Sequence, residues 1–272
     1  MGTVGTAVPI GERLRLAAAC GYDSTSALPT EIAKNPRRLR TLAESLGIEL
    51  IALDPLVSWL PDWEPLPGAC GDSVRQAFMT AMNGLDVSRV LQIAASSGCT
   101  GVSAVEPYGR RVPVDRGGVA FAALCDQAAE HGLVVRLEPM PYSGIPDYES
   151  ALSIIRAAGR ANSGLVLDTW HFFRGGSSLP LLDDLPLEHL VVQLSDAPAA
   201  PEPDLWAEAS QRRLLPGAGA LDLRGVLKAL RERGFSGPVG PEVVSTGLWS
   251  LGAAEAARQA AAACRALLDA SP

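Results

Sequence analysis

Short apolar runs alternate along the chain with longer segments in which hydrophobic residues recur every three or four positions. The first pattern is typical of buried parallel strands, and the second of amphipathic helices that pack on them. A glycine follows several of the helical segments, as at Gly21, Gly47, Gly98 and Gly132, and glycine is the usual stop signal of a helix. The recurrence predicts strands and helices in alternation around a parallel sheet.

The pattern predicts eight strands, at 3–8, 22–28, 48–53, 101–105, 133–138, 164–168, 189–194 and 238–243. It predicts helices at 10–20, 29–46, 74–97, 117–131, 148–158, 221–233 and 251–270. Segment 3–8 is short and lacks a hydrophobic run, but the first strand must fall there if the count is to reach eight.

Eight such units predict an α/β fold, a single (β/α)8 TIM barrel that spans residues 1–272, since barrels of about 250 residues form one domain. An open, doubly wound sheet is the alternative architecture. That fold usually has a glycine-rich loop after its first strand, and neither G-x-G-x-x-G nor G-x-x-x-x-G-K-[ST] occurs there. The proline-rich stretches 55–67 and 198–203 are predicted to be long loops after strands, where barrels bind their substrates.

Composition excludes several classes of function. The formal net charge of −7 disfavours nucleic acid as a partner, because binding to it depends on Lys and Arg at phosphates. No apolar run is long enough to predict a membrane span, and residues 1–10 do not resemble an export signal, so we expect a cytoplasmic protein. Five scattered cysteines without a Cys-x-x-Cys pair predict neither a zinc knuckle nor a disulfide framework.

Polar side chains end four successive predicted strands, at Glu138, Asp168, Gln193 and Glu242. In a barrel, groups at the carboxyl ends of strands point towards one mouth, and alternation along a strand places Arg136 on the same face as Glu138. Three converging carboxylates repel one another unless protons or a cation neutralise them. A divalent cation with oxygen ligands, such as Mg, Mn or Ca, does so. For any one carboxylate alone, capping the next helix or pairing with an arginine is the alternative.

Five phrases of the sequence resemble, in order and spacing, the xylose isomerase-like superfamily of sugar isomerases and epimerases. This group also includes inosose and dehydroshikimate dehydratases and endonuclease IV. The resemblance covers nearly the whole chain. The phrases are Leu137-Glu138-Pro139, Leu167-Asp168-Thr169-Trp170-His171, Val192-Gln193-Leu194-Ser195-Asp196-Ala197-Pro198, Pro216-Gly217-Ala218-Gly219-Ala220-Leu221-Asp222 and Pro241-Glu242-Val243.

The resemblance implies that Glu138, Asp168, Gln193 and Glu242 are the four ligands of one divalent cation. Most relatives carry histidine where this chain has Gln193, whereas relatives similar to hydroxypyruvate isomerase carry glutamine. Because an amide oxygen is a harder ligand than imidazole, we expect Mn or Mg rather than zinc.

The resemblance also implies that His171 reaches a substrate oxygen and that a basic residue contacts the substrate. Of Arg212 and Arg213 we favour Arg213, although a solvated loop charge is an equal interpretation. The sequence departs from the pattern at Ala218, where relatives often have glutamate.

Three further side chains are open to two interpretations. Trp59 and Trp63, in the long loop after the third predicted strand, either wall a pocket or pack in the core. Glu106 either lines the barrel mouth or caps a helix.

Two glutamates on opposite sides of one cation predict proton transfer beside a carbonyl. Glu138 and Glu242 would remove and return the proton by way of an enediolate, with the metal as Lewis acid. We therefore expect an isomerase or epimerase of a sugar or hydroxy-carbonyl compound and favour an unphosphorylated sugar or polyol as its substrate. The resemblance also implies a possible homo-oligomer.

Loss of a β-hydroxyl in the same site would instead make the enzyme a dehydratase or other lyase, and a non-catalytic barrel subunit is a further alternative. An apurinic-site endonuclease is disfavoured, because it needs a histidine-rich zinc cluster and the chain has three histidines.

Overall fold

The structure is a computed structural model that describes residues 2–5, 7–61 and 84–270. Its strands form one parallel seven-stranded sheet in which each strand pairs with the next in sequence. The strands are β1 (Ser24–Ala27), β2 (Glu49–Leu56), β3 (Gly101–Ala104), β4 (Val134–Leu137), β5 (Ser163–Asp168), β6 (Val191–Leu194) and β7 (Val239–Pro241). Because sequential parallel strands need a crossover, helices lie between them.

The α-helices of the described residues are α1 (Ile10–Ala19), α2 (Pro29–Ile32), α3 (Pro36–Leu46), α4 (Val87–Ser97), α5 (Val114–Ala129), α6 (Tyr148–Ala158), α7 (Thr169–Arg174), α8 (Leu205–Gln211), α9 (Leu223–Glu232), α10 (Thr246–Trp249) and α11 (Ala253–Asp269). Several begin at an aspartate whose carboxylate accepts from a backbone amide of the first turn, for example Asp86 from Arg89 N at 2.7 Å. Three end at a left-handed glycine, namely Gly47, Gly98 and Gly159, and the sequence predicts the first two of these stops.

Alternation along the strands separates an outer, apolar face from an inner, polar one. Leu137, Leu167 and Val192 are fully buried in the main hydrophobic core that contains residues of the surrounding helices. Arg136 of β4 points inwards, and its Nε donates to the His189 carbonyl at 2.8 Å while its Nη1 donates to the Ile51 carbonyl at 3.0 Å. One side chain of β4 thus bonds to β2 and to the segment before β6, which requires a curled sheet.

The first predicted strand is wrong. In the described part of 3–8 the backbone forms a 3-10 turn, Gly2–Val4, and no strand. Gly5 interrupts the segment and Pro9 follows it directly, and both residues are poor strand formers. The turn still lies against β7, because the Thr3 hydroxyl donates to the Pro241 carbonyl at 3.1 Å and accepts from Val243 N at 3.2 Å.

Other predicted elements are confirmed with small shifts. The predicted helix 29–46 is two helices, because Pro36 starts α3 and cannot continue α2. Of the predicted helix 74–97, only 84–97 lies within the described residues, and α4 occupies 87–97. None of the described helices is long and apolar enough to cross a bilayer.

Gly164 in β5 is a test of how tightly the strands pack. A Cβ there would lie 2.7 Å from both the Cβ and the carbonyl oxygen of His189, so Gly164→Ala should destabilise the fold by about 1–3 kcal/mol. Gly240→Ala in β7 is the matched control, since no atom lies within 4 Å of its added Cβ. Thermal unfolding should show a lower midpoint for the first variant only, and equal midpoints would contradict the packing described.

Candidate active site

The four residues predicted to bind metal lie at the carboxyl ends of neighbouring strands. Glu138 follows β4, Asp168 ends β5, Gln193 lies in β6 and Glu242 follows β7. The register pairs Asp168 directly with Gln193, and the Glu242 amide donates to the Leu194 carbonyl at 2.9 Å. The sheet therefore places all four at one end of the curled sheet.

Asp168 is the most constrained of these groups and is fully buried. Its Oδ1 accepts from His171 N at 2.9 Å, which makes it the N-cap of α7, and its Oδ2 accepts from Arg213 Nη1 at 2.5 Å. Behind it, the Tyr148 hydroxyl accepts from Asp168 N at 2.9 Å. One carboxylate thus fixes the positions of both His171 and Arg213.

Arg213 is buried and connects several elements of the site. Its Nε donates to the Ala209 carbonyl at 2.8 Å and its Nη1 to the Glu242 carbonyl at 3.2 Å. Burial alone would lower the pKa of Arg213, but the Asp168 and Glu242 carboxylates outweigh burial and raise it. Arg212 instead pairs with Glu202 at 2.6 Å near the surface, so Arg213 is the one that faces the site.

His171 is a neutral imidazole in this environment, because burial and the Arg213 charge hold its pKa well below the usual range. Its Nε2 lies 3.2 Å from Arg213 Nη2, a donor, and 3.6 Å from Glu138 Oε1. The Nε2 atom therefore acts as an acceptor and the proton belongs on Nδ1. No described residue bonds to that buried Nδ1.

Glu138 is buried beside three other acidic groups. Burial raises its pKa well above the usual range, and the carboxylates of Asp54, Glu242 and Asp168 raise it further. Without a cation, this carboxyl therefore tends to keep its proton.

The residues present fit a hard divalent cation. Ligand atoms of Glu138, Asp168 and His171 lie within 4.8 Å of one another. Gln193 adds a buried Oε1 that no described residue donates to, and this oxygen lines the same cavity as the Glu242 carboxylate. Glu242 lies outside the group of three, on the cavity side of the site.

Aromatic rings form one wall next to these groups. The Tyr142 ring stands edge-on to Trp206 at 5.3 Å and to His171 at 5.8 Å between centroids. The Arg213 guanidinium lies 5.4 Å from the Trp170 ring centroid. This wall was not predicted from the sequence, because its rings come from separate loops and helices.

Asp54 is the acidic residue that sequence reasoning missed. It is 9% exposed, lies at the end of β2 and lines a cavity of about 150 Å³ together with Gln193 and Glu242. Burial raises its pKa to about 7, with further contributions from the Glu242 and Asp168 charges. The available signal was the rule that acids at strand ends converge, but the predicted strand stopped one residue earlier, at Leu53.

The remaining predicted side chains have other positions. Trp59 packs in the core, where its Nε1 donates to the Val105 carbonyl at 2.9 Å, and Trp63 lies outside the described residues. Glu106 is fully buried and accepts from loop amides, among them Tyr108 N at 3.1 Å and Gly109 N at 3.0 Å, rather than capping a helix. Ala218 is exposed.

Comparisons with known proteins add to this geometry. A family model described as xylose isomerase-like TIM barrel matches residues 14–267. A 3-dehydroshikimate dehydratase of Pseudomonas aeruginosa is 27% identical over 250 residues, which are 90% of this chain and 38% of that protein. An inosose isomerase of Halalkalibacterium halodurans is 33% identical over 140 residues, which are 50% of this chain and 49% of that protein. The match spans less than half the length of either relative.

A crystal structure of IolI protein with a binding zinc atom has the same fold, with a TM-score of 0.82 at 23% identity. The superposition covers 100% of this chain and 97% of that chain. The predicted TIM-barrel fold class is therefore confirmed.

The raised pKa of Asp54 predicts that the folded state of the metal-free protein becomes less stable as pH rises. Between its unfolded value of 3.8 and its folded value of about 7, the folded state holds a proton that the unfolded state releases, so stability falls as pH rises through that window. Asp54→Asn should remove this loss. Both proteins are first freed of metal with a chelator. The thermal midpoint of Asp54→Asn minus that of wild type should then increase from pH 4 to about 7 and stay constant at higher pH. A difference that is constant with pH would contradict the assignment, and Glu49→Gln, exposed at the other end of β2, is the control.

Proposed function

The chain belongs to the xylose isomerase-like TIM barrel family, and from this we propose that it is a metal-dependent isomerase or epimerase of a sugar or hydroxy-carbonyl compound. The observation that carries the proposal is the position of Glu138, Asp168, Gln193 and Glu242 at one end of the sheet. Ligand atoms of Glu138 and Asp168 lie within 4.8 Å of each other, and no described residue donates to the buried Gln193 Oε1. Arg213 compensates only one of the three carboxylates directly.

Glu138, Asp168, Gln193 and Glu242 would hold one divalent cation, with Mn or Mg the best match to an all-oxygen set. When bound, such a cation polarises a substrate carbonyl and makes the neighbouring C–H more acidic. His171 Nε2 also lies close to Glu138 and could replace or join these ligands. The choice of Gln193 and Glu242 as ligands is therefore part of the proposal.

Glu138 and Glu242 would carry the proton. They follow β4 and β7, with two strands between them, so their carboxylates approach a substrate from different sides. Glu242 lines the cavity and would remove the proton at its carboxylate oxygen. Glu138, on the other side, would return a proton to the intermediate.

His171 and Arg213 would orient the substrate. The neutral imidazole has an Nδ1 proton to donate, and the Arg213 guanidinium is held in place by Asp168 and the Ala209 carbonyl. Because both are fixed by buried hydrogen bonds, a bound oxygen would meet donors that need not rearrange. The Tyr142 ring beside them would exclude water from one side of the site.

A dehydratase is the second candidate, and the similarity to a 3-dehydroshikimate dehydratase over 90% of this chain favours it. The first step would be the same proton removal, followed by departure of a β-hydroxyl instead of proton return. A non-catalytic barrel subunit is the remaining alternative.

Removal of the Glu242 carboxylate tests the proton transfer. Glu242→Gln should lower the rate of deuterium incorporation from heavy water into a panel of keto-sugars and keto-polyols by about 100-fold or more, as for loss of a general base. Mass spectrometry of the recovered substrates measures the exchange, and product identity separates isomerase, epimerase and dehydratase. Glu49→Gln is the control. If wild type binds no metal and exchanges no proton, the catalytic proposal fails and the non-catalytic subunit gains support.

The metal preference depends on Gln193. Gln193→His replaces a hard amide oxygen by imidazole, so affinity for zinc should increase relative to Mn by about tenfold or more. Competitive metal titration of both proteins, read by metal analysis after desalting, measures the ratio. An unchanged ratio would mean that Gln193 does not contact the cation.

A further inference from the structure

The cavity beside the proposed metal site continues between two strands of the sheet. Among the described strands, β1 and β7 form the two edges and do not pair with each other. Residues of both strands line the cavity, and so do Ile10, Arg13 and Ala17 of α1. These three positions recur at helical spacing. One face of α1 therefore borders the cavity at the place where the described residues contain no eighth strand.

Arg13 brings buried donors that have no acceptor. The residue is 7% exposed, and its Nη2 atom pairs with the Glu31 carboxylate. Its Nε and Nη1 atoms are buried, and no described residue accepts a hydrogen bond from either. Burial of a donor without an acceptor destabilises a folded protein. The acceptor for Arg13 is therefore expected from a ligand in the cavity.

Tyr22 lies next to the same face of α1. Its amide donates to the Ala17 carbonyl at 3.0 Å, one helical turn beyond Arg13. Its hydroxyl is buried without a partner among the described residues, and the residue lines the same cavity. Burial raises the pKa of Tyr22, so the hydroxyl keeps its proton and can donate it to a hydrogen bond. The donors of Arg13 and Tyr22 thus border one side of the cavity.

Arg136 adds a buried positive charge to the same cavity. It is 7% exposed and donates to the carbonyls of Ile51 and His189, which are neutral. Burial lowers the pKa of Arg136, and the charges that oppose this effect are those of Cys99 and Glu49 rather than the carboxylates of the proposed metal site. A buried cation that lacks a carboxylate partner among the described residues favours a bound anion.

The two sides of the cavity suit different chemical groups. Asp54, Gln193 and Glu242 line one side, where the Gln193 Oε1 atom is an acceptor to which no described residue donates. That side suits a divalent cation and, through it, the hydroxyl and carbonyl oxygens of a substrate. The other side presents donors and positive charge, which suit an anion. A ligand that fills the cavity would therefore have a hydroxylated end and an anionic end.

A carboxylate matches the charge of this second side better than a phosphate. The charge of Arg13 is already paired with Glu31, which leaves Arg136 as the cation of the cavity lining that no described carboxylate pairs with. A carboxylate balances one positive charge, whereas a phosphate monoester carries a charge of about −1.5 to −2 at pH 7.

We propose that Arg13 and Tyr22 donate hydrogen bonds to the carboxylate of a polyhydroxy acid and that Arg136 supplies the balancing charge. The inference rests on the proposed function, whose substrate class it narrows to hydroxy-carbonyl acids. Arg13 then determines specificity for the acid and takes no part in the proton transfer.

Three six-carbon polyols that differ at one end of the chain test this anion site. D-glucitol is uncharged, D-gluconate carries a carboxylate and D-glucitol 6-phosphate carries a phosphate. Titration calorimetry on Mn-loaded protein, desalted to remove unbound metal, should show that wild type binds gluconate at least about tenfold more tightly than glucitol, as for a hydrogen bond to a charged group. The phosphate should bind more weakly than gluconate.

Arg13→Lys is the informative variant, because it keeps a positive charge beside Glu31 and removes the separate Nε and Nη1 donors. It should bind gluconate about tenfold more weakly than wild type does and glucitol with unchanged affinity. Arg13→Gln should lose at least as much affinity for gluconate, and thermal unfolding checks that each variant is folded. Arg15→Lys is the matched control, since Arg15 is exposed on the same helix and does not line the cavity.

The inference is overturned if wild type binds gluconate no more tightly than glucitol, if it binds none of the three polyols, or if Arg13→Lys leaves the affinity for gluconate unchanged. Tighter binding of the phosphate than of gluconate would overturn the choice of a carboxylate. Deuterium exchange separates these outcomes from the proposed function. Exchange without Arg13-dependent binding of gluconate would sink the anion site and leave the function, whereas Arg13-dependent binding without any exchange would do the reverse.

Discussion

The buried ion pair between Asp168 and Arg213 is the interaction on which the rest of the site depends. Asp168 caps α7 through one oxygen and holds Arg213 through the other, and Arg213 in turn reaches the backbone at Ala209 and Glu242. The pair thus ties β5, the end of α8 and the end of β7 together at one point. Removal of one partner from such a pair leaves an unpaired buried charge, which costs about 3–5 kcal/mol.

The same pair sets the chemistry of its neighbours. Burial, together with the positive charge of Arg213, lowers the pKa of His171 and keeps it neutral. A neutral imidazole can accept, donate or bind a metal, whereas an imidazolium can only donate. Arg213 compensates Asp168 but leaves the repulsion among Glu138, Glu242 and Asp54 in place. The site is therefore organised without a cation and yet retains negative charge that a cation would neutralise.

Much of this could be predicted from the sequence, because strand periodicity and glycine stops are local signals. Their positions at the carboxyl ends of four predicted strands placed Glu138, Asp168, Gln193 and Glu242 at one end of the sheet. The register of β5 and β6 then makes Asp168 and Gln193 direct neighbours. The segment 3–8 failed because its contacts with β7 are made by the single hydroxyl of Thr3, a tertiary interaction with no periodic signal. Pro36 was a local signal for the break between α2 and α3, but the helical spacing of apolar residues on both sides of it predicted one continuous helix.

Asp54 was missed for a different reason, since β2 continues through Pro55 to Leu56 and the usual rule ends a strand before proline. The ring of Tyr142 could not be foreseen, because its contacts with Trp206 and His171 join residues far apart in the chain. Neither residue belongs to a repeating pattern, because a strand end positions Asp54 and a loop positions Tyr142.

The inner face of the sheet links stability to function. TIM barrels usually fill their interior with branched side chains, but Ala52, Ser103 and Gly240 leave a cavity here. Larger apolar residues at these positions would add buried surface, yet they would also occupy the space between Asp54 and Glu242. Burial and neighbouring carboxylates raise the pKa values of both Asp54 and Glu138, so this part of the barrel interior holds acidic groups in an unfavourable environment. Such a concentration of unfavourable local interactions is characteristic of a binding or catalytic site rather than of a structural core.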